Sequence, residues 1–183
     1  MKHLDFVPKA KKTLGSKITL ENGEVLIDGV ASWWTSCHGY NHPDIIKAMQ
    51  KQLNDMPHIM FGGFTHKPAE DLASNLKTLL PSIYNHYFFV DSGSVAVEVS
   101  MKMAIQYWVN KNNKNKRKFL SFKNGYHGDT LGAMSICDPL EGMHSLFKDY
   151  VPEQINTDIP IEKSEKENFK NIVFENKEEL AAI

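Results

Sequence analysis

The chain has no long apolar run; nothing in it approaches the ~20 consecutive apolar residues of a membrane-spanning helix. Net charge is also scarce, −1 over 183 residues of which 23% are charged. There is thus no global electrostatic basis for binding nucleic acid or an anionic membrane. Cysteine is limited to Cys37 and Cys137, far apart in sequence, and the start Met1-Lys2-His3-Leu4-Asp5-Phe6 has no apolar h-region. Reduced thiols in a cytoplasmic protein are expected. The histidines match no metal motif. His38 and His42 flank Gly39 in a loop, His58/His66 and the downstream His127 and His144 are scattered, and no carboxylate completes an HExxH pattern. No metal site is expected. The chain also lacks the Gly-Lys-Ser/Thr of a triphosphate loop and the Gly-x-Ser-x-Gly of a serine-nucleophile elbow.

What is present reads as alternating strands and helices. Residues 1–17 are basic and show no period. Ile18 and Leu20 alternate, Asn22-Gly23 follows, and Val25 and Ile27 alternate again, which predicts a hairpin with both turn residues at positive φ. Residues 28–34 are expected to extend this small sheet. Pro43 opens a helix with Ile45, Ile46, Met49, Leu53 and Met56 on one face, ending before Pro57. Pro68 opens a second, with Leu72, Leu76 and Leu79 on its stripe, and Pro81 ends it.

Residues 87–90 (YFFV) read as a buried strand, and residues 95–108 as a helix apolar on nearly all sides, hence buried on most of its surface. The basic run 111–118 contains no aromatic residue to stack on bases and reads as a solvated loop. Residues 119–122 predict a second strand, completing a parallel crossover. A glycine-rich loop, 124–130, then leads to a short helix from Leu131 to about Ile136. Residues 151–168 are polar without period and read as a surface excursion, and 169–183 as a helix and its extension.

The chemistry centres on Asp91-Ser92-Gly93-Ser94, between the strand and the apolar helix. The first four N–H groups of a helix have no partner inside it, and the helix dipole places partial positive charge there. Small residues let a phosphate approach those groups. Without a lysine to grip a triphosphate, a single monoester fits better. The plainer reading is that these residues only cap the helix. Tyr126, in the glycine-rich loop where α/β proteins gather ligands, offers a flat face to a planar heterocycle. Trp33-Trp34 either wall a pocket or belong to the core.

Trp33-Trp34 with HGYNHP (38–43), HIMFGGFTH (58–66), DSGSVAVE (91–98) and YHGDT (126–130) together resemble the class III, pyridoxal-phosphate-dependent aminotransferases, from about Ile18 to Tyr150. The tryptophan pair, HGYNHP and MFGGFTH point to the branch of that family that serves biotin synthesis. The resemblance implies an α/β fold, the N-terminal part of a fold-type-I transferase. Residues 1–57 would contribute to a small domain, and 58–183 would form the first part of the large cofactor-binding domain. It implies a homodimer with sites at the subunit interface, and pyridoxal 5'-phosphate as cofactor. Gly93 and Ser94 would hold the cofactor phosphate, Tyr126 would stack on its ring and border the substrate, and Trp33 would line the substrate pocket. The implied reaction moves an amino group from S-adenosylmethionine to 8-amino-7-oxononanoate, giving 7,8-diaminononanoate. Other class III members use ω-amino acids as donors, and a non-catalytic truncated product is the remaining alternative. The family's Schiff-base lysine and pyridine-binding aspartate are expected beyond Ile183, and its N-terminal aromatic motif has no counterpart in residues 1–17. These 183 residues alone are therefore not expected to transaminate.

Overall fold

A computed structural model describes residues 6–140, 145–147 and 149–183. Residues 1–5 and His144, which the sequence reading touched, lie outside the described residues. The chain divides into two compact units, Met1–Leu79 and Leu80–Ile183.

In the first unit, β1 (Ala10–Leu14), β2 (Lys17–Leu20) and β3 (Val25–Ile27) form an antiparallel sheet in that order. The hairpin is where Asn22-Gly23 placed it, but its turn differs from the expected one. Leu20 N donates to Glu24 O (2.8 Å) and Gly23 N to Leu20 O (3.1 Å), so three residues form the loop. Only Gly23 has positive φ (+90°), while Asn22 Oδ1 accepts from Glu24 N at 3.0 Å. This is the three-residue hairpin loop with glycine in the left-handed position.

Strand β1 corrects the reading of 1–17 as irregular. Lys11 and Lys12 on this exposed edge erase any apolar alternation, and edge lysines are a common guard against unwanted pairing. Residues 28–34 do not extend the sheet either. Ala31, Ser32, Trp33 and Trp34 all lie in the left-handed region, with φ of 48°, 51°, 55° and 69°. Trp34 N donates to Val30 O and Ser36 N to Ala31 O, both at 3.0 Å, closing a left-handed turn. Each such residue costs roughly 1–2 kcal/mol, so local hydrogen bonds must offset the strain.

Helices α1 (Pro43–Asp55) and α2 (Lys67–Leu79) form where the prolines and apolar spacing predicted, within one residue at their starts. Neither helix contains a buried residue. Ile45, Met49, Leu53 and Leu72 lie exposed along the stripes.

The second unit is built on β4 (Lys118–Phe122), central and parallel to both β5 (Ile155–Thr157) and β6 (Leu180–Ala182). Helix α5 (Lys163–Glu175) connects β5 to β6. Helix α3 (Gly93–Asn110) packs against β6 and against α4 (Leu131–Ser135). Phe119, Leu120, Ala133, Cys137 and Leu180 are buried at this junction.

Four expectations are corrected here. Residues 87–90 form no ladder with any described strand, because the parallel partners of β4 are β5 and β6. Helix α3 has no buried residue, with Met103 and Tyr107 about half exposed, because the described layers cover only part of its surface. The polar stretch 151–168 contains strand β5 and the start of α5. Its Asn156 and Thr157 hide the strand from a search for apolar alternation, yet Thr157 is buried and Asn156 Nδ2 donates to Ser121 Oγ at 3.2 Å. The basic run is also not simply solvated. Lys116 Nζ sits 4.4 Å from the Trp108 ring centroid and donates to the carbonyls of Lys177 and Leu180, while Lys118 Nζ donates to Glu153 O at 2.6 Å. No helix among the described residues is long and apolar enough to cross a membrane.

Candidate functional site

The N-terminus of α3 meets the 124–130 loop in a cleft of about 410 Å³, lined by Ser92, Gly93, Ser94, Val97, Tyr126, His127 and Gly128. Three of the four singled-out residues, Gly93, Ser94 and Tyr126, come together here. Trp33 belongs to the other compact unit and is 85% exposed.

The two serines have separate tasks. Ser92 is the N-cap: it is extended (φ −155°) and its Oγ accepts from Val95 N at 3.2 Å. Its carbonyl accepts from Ala96 N at 3.0 Å. The plain capping reading therefore belongs to Ser92. Ser94 Oγ instead accepts from Asp129 N at 2.9 Å, across to the glycine-rich loop. That bond uses an oxygen lone pair and leaves the hydroxyl proton to donate elsewhere. Among the described residues no acceptor faces the N–H groups of Gly93 and Ser94. Three donors thus stand at the positive end of an eighteen-residue helix whose first turn has no acidic side chain.

The loop can approach this closely only because of Gly128. Its φ is +126°, and a Cβ there would fall 1.9 Å from Ser94 Oγ. Tyr126, 58% exposed, stands on the same loop and its hydroxyl donates to Asp129 Oδ1 at 2.9 Å. This hydrogen bond is the main reason that the phenol's pKa lies above its ordinary value, so it remains a neutral donor at physiological pH. Beneath the loop, Asp138 is buried. Its carboxylate accepts from Asn124 N (2.7 Å) and Leu140 N (2.8 Å), and its own N–H donates to Gly125 O (3.1 Å). The buried Cys137 thiol accepts from His127 N at 3.2 Å. Local sequence pattern assigns no task to Asp138 or Asp129. An aspartate just before proline carries no signal for a partner fourteen residues upstream.

A larger cleft, about 570 Å³, lies between the 134–140 and 149–156 segments. Its described lining includes the carboxylates of Asp138, Asp149 and Glu153 and no basic side chain, so it repels a phosphate. The smaller cleft has no carboxylate in its lining.

The arrangement has the dimensions and donors to take a phosphorylated ring compound, with the phosphate on α3 and the ring beside Tyr126. Similarity to known proteins gives the family. The aminotransferase class-III family model matches residues 2–183. The adenosylmethionine-8-amino-7-oxononanoate aminotransferase of Corynebacterium glutamicum is 48% identical over 149 residues, covering 81% of this chain and 35% of that protein. The enzyme of the same name from Buchnera aphidicola of Baizongia pistaciae is 41% identical over 180 residues, covering 94% and 42%. Among solved structures, the enzyme so named from Methanocaldococcus jannaschii superposes with a TM-score of 0.88 at 28% identity, covering 97% of this chain and 40% of that one. The chain thus spans about two-fifths of the length of these relatives and corresponds to the N-terminal part of their fold. From the family match along nearly its whole length, this chain belongs to the class III aminotransferases.

Proposed function

We propose that this chain supplies the phosphate-gripping, ring-covering part of an aminotransferase that moves an amino group from S-adenosylmethionine to 8-amino-7-oxononanoate, giving 7,8-diaminononanoate in biotin synthesis. The observation that carries this reading is the single cleft uniting the free N–H groups of Gly93 and Ser94 with Tyr126. The names of the relatives supply the substrates.

The residues fit pyridoxal 5'-phosphate. Gly93 N, Ser94 N and the Ser94 hydroxyl bind its phosphate, the α3 dipole stabilises the negative charge, and no lysine is needed to hold a monoester. Tyr126 covers the ring and borders the substrate, its phenol oriented by Asp129. When bound, the cofactor supplies the electron sink that amino transfer requires. Trp33 lines the substrate pocket. Residues 1–57 belong to the small domain and 58–183 to the large one. The complete enzyme works as a cytoplasmic homodimer, an assembly that the exposed apolar stripes of α1 and α2 support.

Titration of the chain with pyridoxal phosphate, and in parallel with pyridoxal, tests the assignment. Ser94→Ala is expected to weaken pyridoxal phosphate binding by about 1–2 kcal/mol, roughly 5–30-fold, the scale of a hydrogen bond to a charged group, and to leave pyridoxal binding unchanged. Equal losses for both ligands, or none for either, would remove Ser94 from the phosphate site. Tyr126→Ala is expected to shift the absorbance of the bound cofactor; an unaltered spectrum returns Tyr126 to a loop-packing role.

A further inference from the structure

The left-handed turn that carries Trp33 and Trp34 has no side-chain packing to hold it. The two indoles are 85% and 86% exposed. Four consecutive left-handed residues do not persist without restraint, and the restraint is visible in the backbone. The Asp28 carboxylate faces the start of the turn. Its Oδ1 accepts from Val30 N at 3.0 Å, and its Oδ2 from Ser32 N at 2.7 Å and from the Tyr40 hydroxyl at 2.6 Å. One carboxylate thus gathers the amides at the front of the turn and a phenol from beyond its end.

Both ends are fixed in turn to the β1–β2 connection. Asp28 N donates to Ser16 O at 2.9 Å. Tyr40 and Gly15 exchange backbone hydrogen bonds of 2.8 and 3.0 Å, and Asn41 Nδ2 donates to Thr13 O at 2.6 Å. A side chain at Gly39 would press on Gly15, with a Cβ 3.3 Å from its backbone. Asp28 thus joins the anchored frame to the strained segment, inside which the Thr35 hydroxyl adds a bond to Ser32 O at 2.9 Å.

We infer that Asp28, with Tyr40, is the positioning residue of the tryptophan turn, holding residues 31–34 in the left-handed form that presents Trp33 to the substrate. The substrate half of this statement rests on the proposed function; the conformational half does not. Hydrogen bonds to the charged carboxylate, that of Tyr40 foremost, hold the Asp28 pKa below its ordinary value, so the group is ionised when it acts.

Fluorine NMR of the fluorotryptophan-labelled chain tests the conformational half. The chain has three tryptophans, and the Trp33 signal is assigned by its loss in Trp33→Phe. In Asp28→Ala the Trp33 line is expected to narrow about twofold, as a released side chain gains fast motion, while the Trp108 line in the other unit stays unchanged. Asp28→Asn, whose amide oxygen still accepts, and Tyr40→Phe should each fall between. If Asp28→Ala fails to fold by circular dichroism, Tyr40→Phe, which keeps the carboxylate and both amide bonds, is read in its place. An unmoved Trp33 line in the folded variant overturns the inference.

The substrate half is read in a complete class III chain carrying this segment. Asp28→Asn should raise the substrate KM about tenfold with kcat within about twofold, and add nothing in a Trp33→Ala background. An Asp28 effect that persists undiminished without Trp33 overturns action through Trp33. A silent Trp33→Ala instead overturns the pocket reading of Trp33 and leaves the NMR result to decide whether Asp28 holds the turn.

Discussion

Ser92 and Ser94, two residues apart, have different partners: Ser92 caps α3, and Ser94 reaches the 124–130 loop, where the proposed phosphate site lies. Ser92→Ala is expected to lower helix stability by about 1 kcal/mol through the lost bond to Val95 N, without selective loss of phosphate affinity. Ser94→Ala is expected to do the reverse, and thermal melts beside pyridoxal phosphate titrations distinguish them. Gly128 supplies a third measurement. A methyl group there would collide with Ser94 Oγ and sit on a backbone of φ +126°. Gly128→Ala should therefore cost about 1–3 kcal/mol of stability and also weaken pyridoxal phosphate binding; a variant with unchanged melting and affinity would show that the loop can withdraw freely. Asp129 links these effects, because its N–H reaches Ser94 and its carboxylate receives the Tyr126 hydroxyl. The motif YHGDT contains Tyr126, Gly128 and Asp129, but only their spatial meeting with Ser94 assigns Asp129 its work.

Among the elements, α5 shows a helix start whose strength depends on pH. Glu165 Oε2 accepts from Glu162 N at 2.8 Å and Ile161 N at 2.9 Å, and these bonds lower its pKa below the ordinary 4.5. A carboxyl with a lowered folded pKa contributes stability above its unfolded value, and that contribution is lost as pH falls through the folded one. Glu165→Gln should therefore melt at a lower temperature than the wild type at neutral pH, with the gap closing as pH drops below the carboxylate range. A gap independent of pH would mean that Glu165 acts by packing alone. The elements also differ in how well local pattern announced them. Helices α1 and α2 were legible because proline marks their starts and apolar residues recur on one face. Strands β1 and β5 were not, because an exposed lysine edge and an Asn-Thr pair satisfied across the sheet show no apolar alternation.

On the scale of the whole molecule, the recurring feature is apolar surface on helices that bury no residue fully. Helices α1, α2 and α3 contain no buried residue, and Met49, Leu53, Leu72 and Met103 are each about half exposed or more. Such stripes associate in water. Sedimentation of the purified chain should show concentration-dependent self-association, and Leu53→Lys should reduce it; a monomer at every concentration would show these stripes to be tolerated by water. By itself, the sequence determined the family, the helices, the hairpin site and the Ser-Gly-Ser start of α3, since each rests on short-range pattern or on motifs of adjacent residues. Only the tertiary structure decided which serine caps and which faces the cleft, that Asp138 ties down the Tyr126 loop, and that the tryptophan pair rides a left-handed turn held by Asp28. Those outcomes depend on hydrogen bonds between residues distant along the chain and on backbone strain that other contacts must offset, and neither leaves a periodic trace in the order of residues.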